Sequence, residues 1–282
     1  MIYITGDTHG ATRTGSGVDG YTYRLRIDSF PEQKQMTRED YVIICGDFGG
    51  IWNYDSRYDE TKSAFKDVVD LEHGESKEEK YWLDWLQKKS FTVLFCDGNH
   101  ENFDRLDRAY LEVEFCGGRA HQIRENVFHL MRGYVFDIDG CRIFVFGGAA
   151  SHDIWDGILK PYEYASEEEF LRAYQKACDE NLQMRIDHVS WWARELPTQE
   201  EMERGIKNLR EKGNKVDYIV THCGPQQVVS LAGYRDRDVL VKYFNTIAET
   251  VDFKRWFFGH YHRNRPIMTK YIMLYEQIVR IW

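Results

Sequence analysis

Six short apolar runs, each followed at once by glycine and polar residues, constrain the fold of this chain more than any other feature. The runs with their polar ends read IYITGDTHG, YVIICGDFGG, FTVLFCDGNHE, RIFVFGGAASHD, YIVTHCGP and RWFFGHYH. A continuous apolar run is typical of a strand that is buried on both faces. Because ligands gather beyond the carboxyl ends of such strands, six polar ends on one edge of a sheet would meet at a single site.

Composition limits the classes of partner and compartment. The 282 residues are 43% hydrophobic and 15% aromatic, which is enough for a large core. The formal net charge of −9 argues against strong general binding to nucleic acid or to anionic membranes, since both require a basic face. The six cysteines form no Cys-x-x-Cys pair, and no apolar stretch approaches the roughly 18 residues of a membrane span. These features predict a cytoplasmic protein with reduced thiols and no membrane partner, and they leave the oligomeric state open.

Local signals predict helices and one hairpin between the apolar runs. Ser or Thr followed three residues later by Glu is the signature of a capping box. It occurs twice, at Ser76 with Glu79 and at Thr198 with Glu201. Asp139-Gly140 between two alternating apolar segments predicts a tight hairpin turn.

The motifs span nearly the whole chain, from Asp7 to His262, with no linker or repeat between them. A site assembled from both ends of the sequence favours one domain over residues 1–282. Residues 151–215 are polar and helical in pattern. We expect this segment to form an excursion over the strand ends, as a lid or a substrate platform.

The polar residues at the strand ends are of the types that bind metals of borderline character. Asp7 and His9 are two residues apart, as are His260 and His262. The two side chains of each pair can therefore face one point from an extended turn. Seven residues form this candidate set: Asp7, His9, Asp47, Asn99, His222, His260 and His262. One ion needs three or four protein ligands, so seven predict two ions, about 3.5–4 Å apart and sharing a hydroxide.

The same residue types have ordinary structural roles when they occur singly. An Asp before Gly is commonly only a turn former, and a histidine after a strand is commonly hydrogen-bonded. The agreement of six strand ends favours a site. The histidines outside this setting are interpreted as structural or surface residues: His73, His121, His129 and His188. His152 is intermediate, because it follows a strand at a distance.

The chain contains, in this order, the motifs GDTHG, GDFGG, GNHE, THCGP and GHYH. They resemble the motifs of the calcineurin-like metallophosphoesterase superfamily, and the resemblance is to a bacterial or phage-type member. The resemblance implies an α/β fold, a four-layer α/β/β/α sandwich of two mixed sheets flanked by helices. It also implies a dinuclear centre of two divalent or trivalent ions of Mn, Fe or Zn.

The resemblance divides the candidate ligands between the two ions. One ion would be held by Asp7, His9, Asp47 and His262. The other would be held by Asp47, Asn99, His222 and His260. His100, directly after Asn99 in GNHE, would face the substrate as the catalytic residue.

The sequence departs from one branch of the superfamily. Protein Ser/Thr phosphatases follow their second motif with Asp, Arg and Gly, where this chain has Gly49, Gly50 and Ile51. The absent Asp would orient the catalytic His, and the absent Arg would contact phosphate. Glu101 and Asp97 are neighbours of the motif that could replace the Asp, although a position in a turn favours solvation for both.

Other residues could supply the missing substrate contacts. The candidates are Arg263 and Arg265, directly after the last motif, and His152. An isolated pair of arginines after a strand is also common on ordinary protein surfaces.

The resulting prediction is a metal-dependent phosphoester hydrolase that uses a dinuclear centre and a bridging hydroxide. The absent Arg favours a phosphodiester or nucleotide substrate, since a diester carries less charge. Three alternatives remain: a phosphomonoesterase or protein phosphatase, a metallohydrolase acting on another bond, and a non-catalytic scaffold of the same fold. A scaffold would be expected to have lost ligands.

Overall fold

The computed structural model describes residues 1–11, 20–52 and 75–282, so the prediction for His73 lies outside the described residues. The helices are α1 Tyr21–Arg24, α2 Lys77–Gln87, α3 Phe103–Arg108, α4 Glu167–Asp179, α5 Gln199–Glu211, α6 Gln226–Leu231 and α7 Val239–Thr250. The strands are β1 Ile2–Thr5, β2 Tyr41–Ile44, β3 Thr92–Phe95, β4 Leu111–Phe115, β5 Gly118–Arg124, β6 Val127–Leu130, β7 Tyr134–Ile138, β8 Cys141–Phe146, β9 Gly157–Leu159, β10 Met184–Ile186, β11 Tyr218–Thr221, β12 Arg255–Phe258, β13 Arg265–Ile267, β14 Tyr271–Met273 and β15 Val279–Arg280. Short 3₁₀ segments lie at Pro31–Gln35, Pro161–Glu163 and Ala193–Glu195.

The strands form two large mixed sheets and one small one in the described part of the chain. The first has the order β15-β1-β2-β3-β6-β5-β4, and the second has the order β13-β14-β12-β11-β8-β7. Neighbours within β1-β2-β3-β6 and within β14-β12-β11-β8 are parallel, whereas the outer strands are antiparallel. The prediction of two mixed sheets is therefore confirmed.

All six apolar runs form buried parallel strands, but they do not share one sheet. β1, β2 and β3 belong to the first sheet, whereas β8, β11 and β12 belong to the second. The expectation that all six polar ends lie on one edge of a single sheet is therefore wrong. Within each sheet the strand ends are level, since Thr5 pairs with Ile44 and Ile44 with Phe95 in the first. The polar ends accordingly come from two sheets, three from each.

Alternating side chains of these strands pack on opposite sides and create the layers. Between the sheets, Ile43 and Leu94 of the first sheet share a core with Val145, Val220 and Phe257 of the second. On the outer faces, Val42 packs with Leu83 of α2, and Trp256 packs with Phe244 of α7. Because helices cover both outer faces, the four-layer α/β/β/α arrangement is confirmed.

The local signals form the predicted elements. Ser76 accepts a hydrogen bond from the backbone N–H of Glu79 and begins α2. Thr198 and Glu201 form a reciprocal capping box at the start of α5. Asp139 and Gly140 have φ of 47° and 79° and connect the antiparallel strands β7 and β8, as an Asp-Gly turn requires. None of the described helices is both long and apolar enough to cross a membrane.

Residues 151–215 are less uniformly helical than their pattern indicates. Besides α4 and α5 they contain the parallel strands β9 and β10, which pair with each other. Phe170 of α4 packs with Leu159 and Ile186 of these strands in a small separate core. Three-residue strands carry too little periodicity to be recognised from sequence, and the pattern therefore predicted helix alone.

A buried ionic network joins this segment to the first sheet. Arg132 donates to Asp97 through Nε at 2.8 Å and through Nη2, and it also donates to the Arg194 carbonyl at 2.8 Å. The other oxygen of Asp97 accepts from His129 Nε2 at 3.0 Å. Burial alone would raise the pKa of Asp97, but Arg132 and His129 hold it well below its usual range. Asp97 is therefore a charged carboxylate in the protein interior that depends on its partners.

Arg132→Met is expected to lower the free energy of unfolding by about 3–5 kcal/mol, because it leaves the Asp97 charge buried without its main partner. Arg119→Met is the matched control, since Arg119 pairs with Glu112 at 2.6 Å and both side chains are more than 40% exposed. An exposed pair contributes little to stability, because water and salt screen it. Urea denaturation at pH 7 measures both changes. Similar small losses in the two variants would show that Asp97 does not depend on Arg132.

Candidate functional site

The chain adopts unusual backbone conformations where the polar residues follow the strands. His9, Asp47, His260 and His262 have φ of 47°, 45°, 67° and 48°. Residues other than glycine rarely occupy this left-handed region, and such strain is concentrated at functional sites. Four of the seven predicted metal ligands therefore have a backbone that local propensity does not favour.

Two glycines allow these turns to approach the aspartates of neighbouring strands. A Cβ atom on Gly98 would overlap Asp47 Oδ1, and a Cβ atom on Gly259 would overlap Asp7 Oδ1. A backbone N–H that follows the glycine in each turn binds the carboxylate that the glycine approaches. His100 N donates to Asp47 Oδ1 at 2.8 Å, and His260 N donates to both oxygens of Asp7 at 2.9 Å. The glycines in GNHE and GHYH are thus needed to hold the two aspartates.

A first group of donor atoms lies at the ends of β1, β2 and β12. Asp7, His9, Asp47 and His262 each offer one ligand atom, and these atoms all lie within 4.8 Å of one another. His9 Nε2 is 2.8 Å from His262 Nε2, and His262 Nε2 is 3.1 Å from Asp7 Oδ2. The structure brings together the four residues that the resemblance assigned to one ion.

A second group adjoins the first. His222 Nε2 lies 3.3 Å from Asp47 Oδ1 and 3.2 Å from Asn99 Oδ1. The His260 ring is edge-on to the His222 ring, with centroids 5.0 Å apart. His222 Nδ1 donates to the Cys45 carbonyl at 2.8 Å, which leaves Nε2 as the nitrogen that faces Asn99 and Asp47.

Asp47 lies between the two groups. Its Oδ1 faces His222, whereas its Oδ2 is 3.8 Å from His9 Nδ1. Burial alone would raise the pKa of Asp47, but His222, His100 and His9 together lower it well below its usual range. Burial alone would lower the pKa of His222, yet the carboxylates of Asp47 and Asp7 raise it to about 10. The carboxylate of Asp47 is therefore ionised and is available to both groups.

The donor sets fit metal ions by geometry and chemistry. Ligand distances of about 2.0–2.2 Å for imidazole and carboxylate place neighbouring donors roughly 3 Å apart around one ion. The separations of 2.8 and 3.1 Å in the first group and of 3.2 and 3.3 Å in the second match this spacing. A set of imidazole nitrogens, carboxylates and one amide oxygen suits Zn, Mn or Fe.

The His100 ring lies beside the first donor group, and the His100 backbone N–H binds Asp47. Its ring centroid is 5.3 Å from that of His9 and 6.5 Å from that of Trp52. Burial, together with the positive charge of Arg185, lowers the pKa of His100 to about 4, although the negative charges of Asp47 and Asp153 oppose this effect. The imidazole is thus held among charged groups next to the predicted metal ligands.

The two acids considered as partners for His100 are engaged elsewhere. Asp97 binds Arg132 and His129, and Glu101 accepts from the Phe48 backbone N–H at 2.7 Å. Asp97 is 1% exposed and Glu101 is fully buried, so the expectation that both are solvated is wrong. Burial raises the pKa of Glu101 well above its usual range. Their role is to hold the turns, because each satisfies groups inside the protein.

The segment 151–215 contributes charged residues near His100. Arg185 Nε and Nη2 donate to Asp153 at 2.8 and 2.5 Å, and Arg185 Nη1 donates to the Ser190 carbonyl at 3.0 Å. Ser151 Oγ accepts from Asn99 Nδ2 at 3.3 Å, and Ser151 N donates to Glu195 Oε2 at 3.1 Å. Burial raises the pKa of Glu195 to about 8. Arg185 and Glu195 were missed, since an isolated Arg or Glu in a polar segment carries no pattern, whereas Ser151 and Asp153 lie in the polar end RIFVFGGAASHD.

The remaining predicted residues fall in different places. Arg263 and Arg265 are exposed. His152 stacks near His260 with ring centroids 4.6 Å apart, and together with Asp236 these histidines form another group of donors within 4.8 Å of one another. The structural interpretation fits three other histidines: His121 and His129 are buried in the Asp97 network, and His188 binds Asp104 at 2.7 Å.

Two comparisons with known proteins bear on this site. A family model described as calcineurin-like phosphoesterase matches residues 1–264. A search of curated proteins found no match. The family match spans more than nine tenths of the chain and includes every residue of the two donor groups.

Proposed function

Because the chain belongs to the calcineurin-like phosphoesterase family, we propose that it hydrolyses phosphoesters with two metal ions. Asp7, His9, Asp47 and His262 would hold one ion. Asp47, Asn99, His222 and His260 would hold the other. The observation that carries the proposal is the position of the Asp47 carboxylate, with one oxygen toward His222 and the other toward His9.

Two bound ions would supply positive charge for the phosphoryl oxygens and a water acidified for attack on phosphorus. The protein's own residues supply the rest. His100 carries a ring N–H that can reach the leaving oxygen, and an anionic phosphate beside it would raise its pKa. Arg185 is oriented by Asp153 and adds a cation for a phosphoryl oxygen.

The segment 151–215 is proposed to act as the substrate platform of one domain that covers residues 1–282. Arg185 and Ser151 support this role, because the first lies close enough to shift the pKa of His100 and the second contacts the ligand Asn99.

A non-catalytic scaffold and a protein phosphatase are both less well supported. The donor atoms of the first group lie within 4.8 Å of one another, and His222 Nε2 lies 3.2 Å from Asn99 Oδ1 and 3.3 Å from Asp47 Oδ1, which supports retained metal ligands over a scaffold. Gly49 and Gly50 supply neither the carboxylate nor the guanidinium of the protein phosphatases. A small phosphodiester or a nucleotide is therefore the proposed substrate class.

Metal analysis after loading with Mn²⁺ is expected to approach two ions per chain, since seven ligands exceed the requirement of one ion. The loaded protein should hydrolyse bis(p-nitrophenyl) phosphate with a higher kcat/KM than p-nitrophenyl phosphate, and EDTA should abolish both activities. A stoichiometry of one or less after reloading would contradict the dinuclear centre. Two bound ions without turnover of either ester would favour the scaffold.

A further inference from the structure

A cavity of about 730 Å³ opens directly beside the proposed metal centre. One side of it is formed by the ligands His260 and His262, and His152 stands next to them. Trp155 and the segment 233–238, between α6 and α7, also line it. Small-molecule sites commonly enclose about 300–1,000 Å³. The cavity is therefore large enough for a substrate group that extends beyond the scissile phosphate.

The segment 233–238 presents two arginines to this cavity. In the sequence YRDRD, arginines alternate with aspartates, and all four of these charged residues line the cavity. Both aspartates have partners in the protein. Asp236 accepts from Tyr261 Oη at 2.6 Å, and Asp238 accepts from the backbone N–H groups of Leu240 and Val241 at 2.8 and 3.1 Å.

Arg235 and Arg237 remain available to a ligand. Both line the cavity, and neither has a hydrogen bond or an ion pair within the part of the chain that the structure describes. The hydrogen bonds of the two aspartates fix the backbone of the segment, so this backbone holds the two arginines in place at the cavity. A guanidinium pair of this kind suits a phosphate group, which it can bind by two parallel N–H donors.

Trp155 adds an aromatic surface to the lining of the cavity. Its side chain is 83% exposed, the largest exposure among the large hydrophobic residues described. No aromatic or cationic partner covers its ring among the described residues. Indole rings in this situation stack on nucleobases, because both surfaces are flat and polarisable.

We propose that this cavity binds the nucleoside part and a further phosphate of a nucleotide substrate, with the base on Trp155 and the phosphate on Arg235 and Arg237. The proposal rests on the proposed function, since the scissile phosphate would lie at His260 and His262. It narrows the substrate class to nucleotides with at least one phosphate besides the one attacked. Arg263 and Arg265 are not among the residues that line the cavity.

Calorimetric titration of the Mn²⁺-loaded protein tests the proposal with two probes that resist hydrolysis between their phosphorus atoms. The probes are adenosine 5′-(α,β-methylene)diphosphate and methylenediphosphonate, which lacks the nucleoside. Trp155→Ala should weaken binding of the nucleotide about tenfold and leave binding of methylenediphosphonate unchanged. The double variant Arg235→Gln/Arg237→Gln should weaken binding of both probes about tenfold.

Two further variants make the test specific. Trp282→Ala is the control for Trp155→Ala, because Trp282 is 52% exposed and lies outside the cavity lining. Arg263→Gln/Arg265→Gln removes the same two charges elsewhere. The proposal is overturned if the nucleotide binds no more tightly than methylenediphosphonate, if neither cavity variant weakens it, or if the Arg263/Arg265 variant has the larger effect.

The outcome is separable from that of the proposed function. If the protein hydrolyses p-nitrophenyl esters while substitution of Trp155 and of the two arginines leaves its nucleotide affinity unchanged, only the proposed nucleotide site in the cavity is overturned. If nucleotide binding depends on these residues but the protein hydrolyses no ester, the proposed nucleotide site is supported and the proposed function is overturned.

Discussion

Asp47→Asn is expected to abolish activity and to release metal, with a larger effect than the loss of any other single ligand. The substitution keeps the shape of the side chain and an oxygen that can still accept from His100 N. It removes the negative charge that faces His222 and His9 together. Substitution of a residue that only hydrogen-bonds to a metal ligand already lowers metal affinity or activity by about 10–100-fold. Loss of a ligand shared by both ions should therefore lower kcat/KM by more than about 100-fold.

Metal content, activity and thermal unfolding should be measured together for Asp47→Asn. His262→Asn is the comparison, because His262 belongs to the first group alone and its side chain is 48% exposed. We expect His262→Asn to lose one ion and Asp47→Asn to lose both, with the fold retained in each. Full turnover by Asp47→Asn with two ions bound would place the bridge at another residue.

His100→Ala is expected to slow hydrolysis of alkyl phosphoesters by a factor of about 10²–10⁴ while both ions and the fold are retained. The side chain lies beside the donor groups, and its backbone N–H, which binds Asp47, is kept in the variant. A poor leaving group needs a proton most, so p-nitrophenyl esters should be slowed far less. The comparison of kcat for the two classes of ester measures the proton transfer.

The low pKa of His100 sharpens this test. Burial holds the pKa at about 4 in the protein alone, so the proton must be stabilised by the bound phosphate. Equal slowing of both classes of ester would contradict proton donation and leave an electrostatic role for the ring. His188→Ala is the control, since His188 binds Asp104 and belongs to neither donor group. Loss of metal in His100→Ala would mean that His100, rather than Asn99, is the metal ligand in this turn.

Much of the architecture could be predicted because its causes are local. The apolar runs that became β1, β2, β3, β8, β11 and β12 are continuous, and both capping motifs and the Asp139-Gly140 turn act within a few residues. The residues of the two donor groups were indicated for the same reason, since each follows a strand directly. The division of the runs between two sheets was not indicated, because a strand buried on both faces looks the same in either sheet.

The sequence by itself determined which residue types end the strands, and through them the chemistry that the site can offer. The tertiary structure alone decided which groups surround that chemistry. Arg185, Ser151 and Asp236 reach the site from separate segments, and their positions depend on how those segments pack. Asp97 and Glu101 became buried supports rather than solvated neighbours because Arg132 and the Phe48 backbone meet them in the fold. Such contacts join residues far apart in the chain, and no local pattern encodes them.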